Sequence, residues 1–116
     1  MTQLLLATYR YIFNASTGGV SHGSEMSYIW AGGSATGVAG NLGRVMQAAW
    51  AKFVKDPSNG PASGWVRYGS AEKDLANLGG EGDRKSITMI APSVMDSRCS
   101  VWYAAYSSAR PEKEAL

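Results

Sequence analysis

The chain has 116 residues, eleven of them basic and nine acidic, for a formal charge of +2. Hydrophobic residues make up 45% and aromatics 10%, a globular composition that excludes a disordered polypeptide; the charges are scattered, which argues against nucleic acid or an anionic membrane as partner. One cysteine and one histidine exclude an internal disulfide and a Cys/His zinc site, and no metal or other cofactor is called for.

The size suits one domain, or part of one, over residues 1–116. The opening Met1-Thr2-Gln3-Leu4-Leu5-Leu6-Ala7 has no basic residue ahead of its apolar run, and that run is too brief for a signal-peptide core. No segment approaches membrane-spanning length. Leu4 to Phe13 reads as a strand, with Tyr9, Tyr11 and Phe13 on one side and Thr8, Arg10 and Ile12 on the other. Its apolar lean on both faces predicts an interior position in a sheet. Asn14-Ala15-Ser16 is a glycosylation acceptor triplet at Asn14, which matters only for a chain that enters the secretory pathway.

The only histidine follows, in Gly19-Val20-Ser21-His22-Gly23-Ser24-Glu25-Met26. Imidazole exchanges a proton near neutrality, so a histidine on a loop held by a sheet suits general acid/base work. Without further context such a residue is more often a surface or structural histidine. Ser27 to Trp30 then leads into the glycine-rich 31–40, read as a flexible connection.

Asn41 is placed to cap a helix running to about Lys55, along which Leu42, Val45, Met46, Ala49, Trp50, Phe53 and Val54 form one stripe, read as core packing. Lys52 and Lys55 suit its C-terminal dipole, and Asp56-Pro57 stops it. Gly64 to Gly69, around Trp65 and Tyr68, reads as a brief edge or a packed aromatic loop. Ala76 to Leu78 and Ser86 to Ile90 are expected to pair as a hairpin across Gly79 to Asp83. Ser93 begins a second amphipathic helix, carrying Met95, Cys99, Trp102, Tyr103 and Tyr106, before a charged tail at 109–116. Cys99 is either a buried small apolar residue or a cysteine whose partner lies elsewhere.

Four of these blocks, in this order, resemble the C-terminal part of the type-B carboxylesterases and lipases, the family that includes the cholinesterases, and especially its fungal members. The strand and Gly19-Val20-Ser21-His22-Gly23-Ser24-Glu25 are similar to that family's final sheet strand and its Gly-x-x-His-(Gly/Ser)-x-(Glu/Asp) loop. Met46-Gln47-Ala48-Ala49-Trp50-Ala51-Lys52-Phe53-Val54-Lys55 looks like its Met-Gln-x-x-Trp-x-x-Phe helix. Trp65-Val66-Arg67-Tyr68 resembles its Trp-Pro-x-Tyr segment, with Val66 in place of proline, and Asp96-Ser97-Arg98-Cys99-Ser100-Val101-Trp102 its closing Asp-x-x-(Arg/Lys)-Cys-x-x-Trp helix. The resemblance spans roughly residues 7 to 108; the connection between Ser16 and Gly19 is shorter than in the family.

The resemblance implies an α/β fold, namely the C-terminal portion of an α/β-hydrolase: a sheet strand, a histidine loop, two amphipathic helices and short strands. It implies hydrolysis of a carboxylic ester, with His22 the base of a Ser-Glu/Asp-His triad, and it implies that Cys99 pairs with a cysteine further upstream. It suggests an extracellular setting. No Gly-x-Ser-x-Gly elbow occurs in the chain: Gly32-Gly33-Ser34-Ala35-Thr36 fails at its last position and lies after the histidine. The family's triad acid also comes from far earlier, so Glu25 is read as a residue that fixes the loop. A triad drawn only from Ser21, His22 and Glu25 is geometrically implausible, since neighbours in one loop rarely converge with an oxyanion hole. The expectation is a partial carboxylesterase domain, inactive alone, acting on an ester only when completed. The alternative is a non-catalytic interaction module or an inactive relic, self-associating through its strand edge and the uncovered faces of Trp50 and Trp102.

Overall fold

The computed structural model describes residues 6–15, 18–30, 37–80 and 87–109. Within them the chain forms a three-stranded mixed sheet with helices: β1 (Arg10–Phe13), α1 (Met26–Trp30), α2 (Gly37–Lys55), a 3-10 turn (Pro57–Asn59), β2 (Leu75–Leu78), β3 (Ile87–Ile90), α3 (Ser93–Asp96) and α4 (Cys99–Ala109). The sheet order is β1-β2-β3. Strands β1 and β2 are parallel, with Tyr11 beside Ala76 and Phe13 beside Leu78. A parallel pair needs a long crossover, and α1 and α2 lie in it. Strands β2 and β3 are the expected antiparallel hairpin, Ala76 opposite Met89 and Leu78 opposite Ile87.

The alternation along β1 sends Tyr9 and Phe13 toward α2, where they meet Leu42, Met46 and Ala49 together with Ala76 and Leu78. Leu42, Met46 and Ala49 recur at helical spacing, so one side of α2 is wholly sequestered and forms the core with one face of the sheet. On the opposite face Arg10 clasps Asp96 of α3 through two bonds, 2.9 and 3.1 Å, and its guanidinium lies over the Tyr68 ring at 4.9 Å.

Several expectations change. The strand is shorter than Leu4–Phe13: residues 1–5 lie outside the described set, and residues 6–9 approach the sheet without joining the ladder. Thr8 instead accepts a bond from the Tyr68 amide at 2.8 Å. Nor is β1 interior, for it is an edge of the sheet among the described residues. Its apolar character reflects burial against α2 on one face, not strands on both sides.

Residues 27–30 belong to a short helix, and α2 starts at Gly37 rather than after Asn41. The core contacts of Leu42 and Met46 outweigh the low helix propensity of Gly37 and Gly40. Asn41 is thus no cap; it accepts a hydrogen bond from Arg44 one turn on. Residues 31–36 lie outside the described set. The stripe on α2 is also narrower than expected at its end, with Val54 80% exposed. Asp56-Pro57 does terminate the helix. Of the two readings of Gly64–Gly69 the packed aromatic loop holds, built around a buried Trp65. The closing helix is two, α3 and α4, broken at Ser97 and Arg98, and residues 110–116 of the charged tail are outside the described set.

Gly79 ends β2 at φ 76°, and a Cβ there would stand 2.7 Å from the Ala15 Cβ and 2.9 Å from Leu42 Cδ2. Only glycine lets the chain leave the sheet this close to α2.

Candidate functional site

After Phe13 the chain leaves the sheet, and Ser21-His22-Gly23-Ser24 folds into a tight turn. The Ser24 amide donates to the Ser21 carbonyl at 3.1 Å, and the Ser21 amide donates to Ser24 Oγ at 2.9 Å, so the turn is closed twice. The positive φ of Gly23, 83°, is what the third position of a type II turn demands. His22 sits beside it at the turn's exposed tip. The turn runs directly into α1: the Met26 amide donates to the Gly23 carbonyl at 3.1 Å, and the Tyr28 amide to that of Glu25 at 3.0 Å.

The far side of the loop is anchored to the sheet it came from. Tyr28 packs edge-on to Phe13 with ring centroids 4.9 Å apart, and its carbonyl accepts a bond from Gln47 Nε2 of α2 at 3.0 Å. Ile29 is buried in the core. The side of the histidine loop that runs into α1 is therefore fixed to the hydrophobic core, while His22 itself is exposed.

Among the described residues, His22 makes no hydrogen bond or ion pair. Ser21 Oγ turns instead to Ser24 Oγ at 3.3 Å. Glu25 faces the Tyr11 hydroxyl of β1, where partial burial first, and then the negative charge of Glu25 and its acceptance of the hydroxyl hydrogen bond, raise the Tyr11 pKa above its ordinary value. Ser21, His22 and Glu25 are neighbours in sequence, yet they act separately: two shape the loop and one is presented to solvent. The Glu25–Tyr11 contact escaped the sequence reading, since nothing in the spacing ties a loop carboxylate to a strand tyrosine fourteen positions earlier.

The remaining candidates lie elsewhere. Asn14 is exposed at the end of β1, its amide bonded to the Leu78 carbonyl at 2.9 Å; Ser16 of its triplet is outside the described residues. Cys99 is a free, half-buried thiol opening α4. Trp50, expected to leave a face uncovered, stacks edge-on with Tyr11 and Trp65 and is half-buried. Trp102 does stand clear, 75% exposed. Among the described residues no group of three or more His, Cys, Asp or Glu side chains is placed to hold a metal ion, and no helix is long and apolar enough to cross a membrane.

No family model and no solved structure matches the chain.

Proposed function

We propose that this chain is the C-terminal part of a carboxylic-ester hydrolase of the type-B carboxylesterase/lipase kind and supplies the catalytic histidine, His22. The observation that carries the reading is the exposed imidazole at the tip of a doubly closed turn that runs on into α1 and, through Tyr28 and Ile29, into the core. The ordered sequence blocks around it supply the family. In such a triad a serine attacks the ester carbonyl, the imidazole takes the serine proton and returns it to the departing alcohol, and a carboxylate holds the ring in the correct tautomer. Serine, carboxylate and oxyanion donors would come from polypeptide beyond this sequence, and a base waiting for them must face outward from its own core.

Sequencing transcripts upstream of the Met1 codon tests this. An in-frame Gly-x-Ser-x-Gly elbow, followed by a loss of turnover of roughly a thousandfold or more on His22→Ala in the protein so defined, is the expected result. A stop codon immediately upstream of Met1 in every transcript, with an active esterase in the isolated chain, would overturn it.

A second reading is an interaction module, favoured by α4, where Val101, Trp102, Tyr103 and Tyr106 are all more than 60% exposed. An 11-residue helix with so little packing is marginal by itself and gains from a covering surface. Gel filtration of the chain beside Trp102→Ser tests it: the parent should elute as an associated species and the variant as a monomer.

A further inference from the structure

Five aromatic rings from three separate segments converge on one side of the sheet. Tyr9 and Tyr11 come from β1 and its approach, Trp50 and Phe53 stand about one turn apart on α2, and Trp65 comes from the loop beyond. They meet edge to face: Tyr11 with Trp50 at 5.2 Å and 71°, Trp50 with Trp65 at 6.1 Å and 64°, Tyr9 with Phe53 at 5.8 Å and 74°. Between them lies a cleft of about 170 Å³, open on one side, which Ala49 and Pro61 also line. One wall is braced from behind, since a Cβ on Gly60 would sit 3.0 Å from the Tyr9 ring.

We infer that this cleft binds a single neutral planar aromatic ring, the phenyl or phenol portion of a small molecule. Its volume sets the size: an apolar protein cavity of about 150 Å³ holds benzene. Its lining sets the polarity, because every lining side chain is uncharged and a ligand charge would be desolvated without a partner. Its ring geometry sets the shape. In an edge-to-face cluster each ring offers a neighbour either its negative face or its positive edge, and an added aromatic ring continues that arrangement from either side. A cation is welcome only over faces and a saturated ring has neither edge nor face to offer, so both fit less well. The inference concerns binding alone and stands whether or not His22 serves a hydrolase.

The test is a titration of phenol into the full chain, followed through the indole N–H resonances of the four tryptophans. The expected result is saturable shifts at Trp50 and Trp65 only, with a dissociation constant of about a millimolar, as roughly seven non-hydrogen atoms supply. Cyclohexanol should bind at least about threefold more weakly, and Phe53→Ala should weaken phenol by roughly three- to tenfold. Shifts shared by all four tryptophans without saturation would overturn the inference, as would cyclohexanol or tetramethylammonium binding as tightly as phenol. The ligand comparisons are made on the unaltered chain, so they decide the matter even where Phe53→Ala disturbs folding.

Discussion

Tyr11 serves three purposes: it lies in the β1 ladder, its ring meets Trp50 and Trp65, and its hydroxyl engages Glu25 on the histidine loop. Burial and the nearby carboxylate hold its pKa above the ordinary 10.0. The folded state therefore keeps the phenolic proton longer than the unfolded one. That contribution to stability is complete below the unfolded value and disappears as pH rises through the folded value. Urea unfolding at pH 8 and at about pH 10.5 should show a larger loss for the parent than for Tyr11→Phe; equal losses would refute the linkage. Asp74 is the other residue whose role is local. It is 4% exposed, and its Oδ2 accepts the Gly69 amide at 2.7 Å, closing the loop that leads into β2. Asp74→Ala strands that amide and should cost about 1–3 kcal/mol in chemical denaturation, with Asp74→Asn recovering part of it.

At the level of elements, the placement of β2 against α2 depends on Gly79. Gly79→Ala forces a side chain into a positive-φ conformation and against Ala15 and Leu42 at once. The two effects together predict a loss of roughly 2–4 kcal/mol, read as a lowered denaturation midpoint at unchanged m-value. Helix α3 is tied to β1 in another way, by the forked Arg10–Asp96 pair, whose side chains are 26% and 40% accessible. The Asp96 bond is the leading cause of a raised Arg10 pKa. Because the pair is partly screened by water, its contribution is modest, and it acts chiefly to place α3 on the far side of the sheet.

For the whole molecule, one core joins the sheet to α1 and α2, while α4 lies largely outside it. Folding should therefore follow that core. Met46→Ala, which empties a fully buried position on α2, should cost about 2–4 kcal/mol and lower near-ultraviolet ellipticity and far-ultraviolet helicity together. If the two signals separate, α2 and the sheet do not form one cooperative unit. Among the described residues, three of the four most exposed aromatics, Trp102, Tyr103 and Tyr106, lie on α4. A solitary globule rarely leaves so much apolar surface on one helix, which is why both functional readings invoke a further surface for this chain to meet.

The hydrophobic periodicities by themselves determined the helix through Leu42, Met46 and Ala49, the hairpin of β2 and β3, and the common side of Tyr9, Tyr11 and Phe13, because side-chain periods of 3.6 and 2 are local properties of the backbone. They also put His22 on a loop, as its glycine neighbours require. Only the tertiary structure decided that β1 is an edge, that 27–30 and 37–40 are helical, and that α4 stays uncovered, since each depends on what packs against the segment rather than on the segment. The same holds for Glu25 with Tyr11 and for the five-ring cleft. Those contacts join residues far apart along the chain, and their spacing in the sequence carries no trace of the distance the fold brings them to.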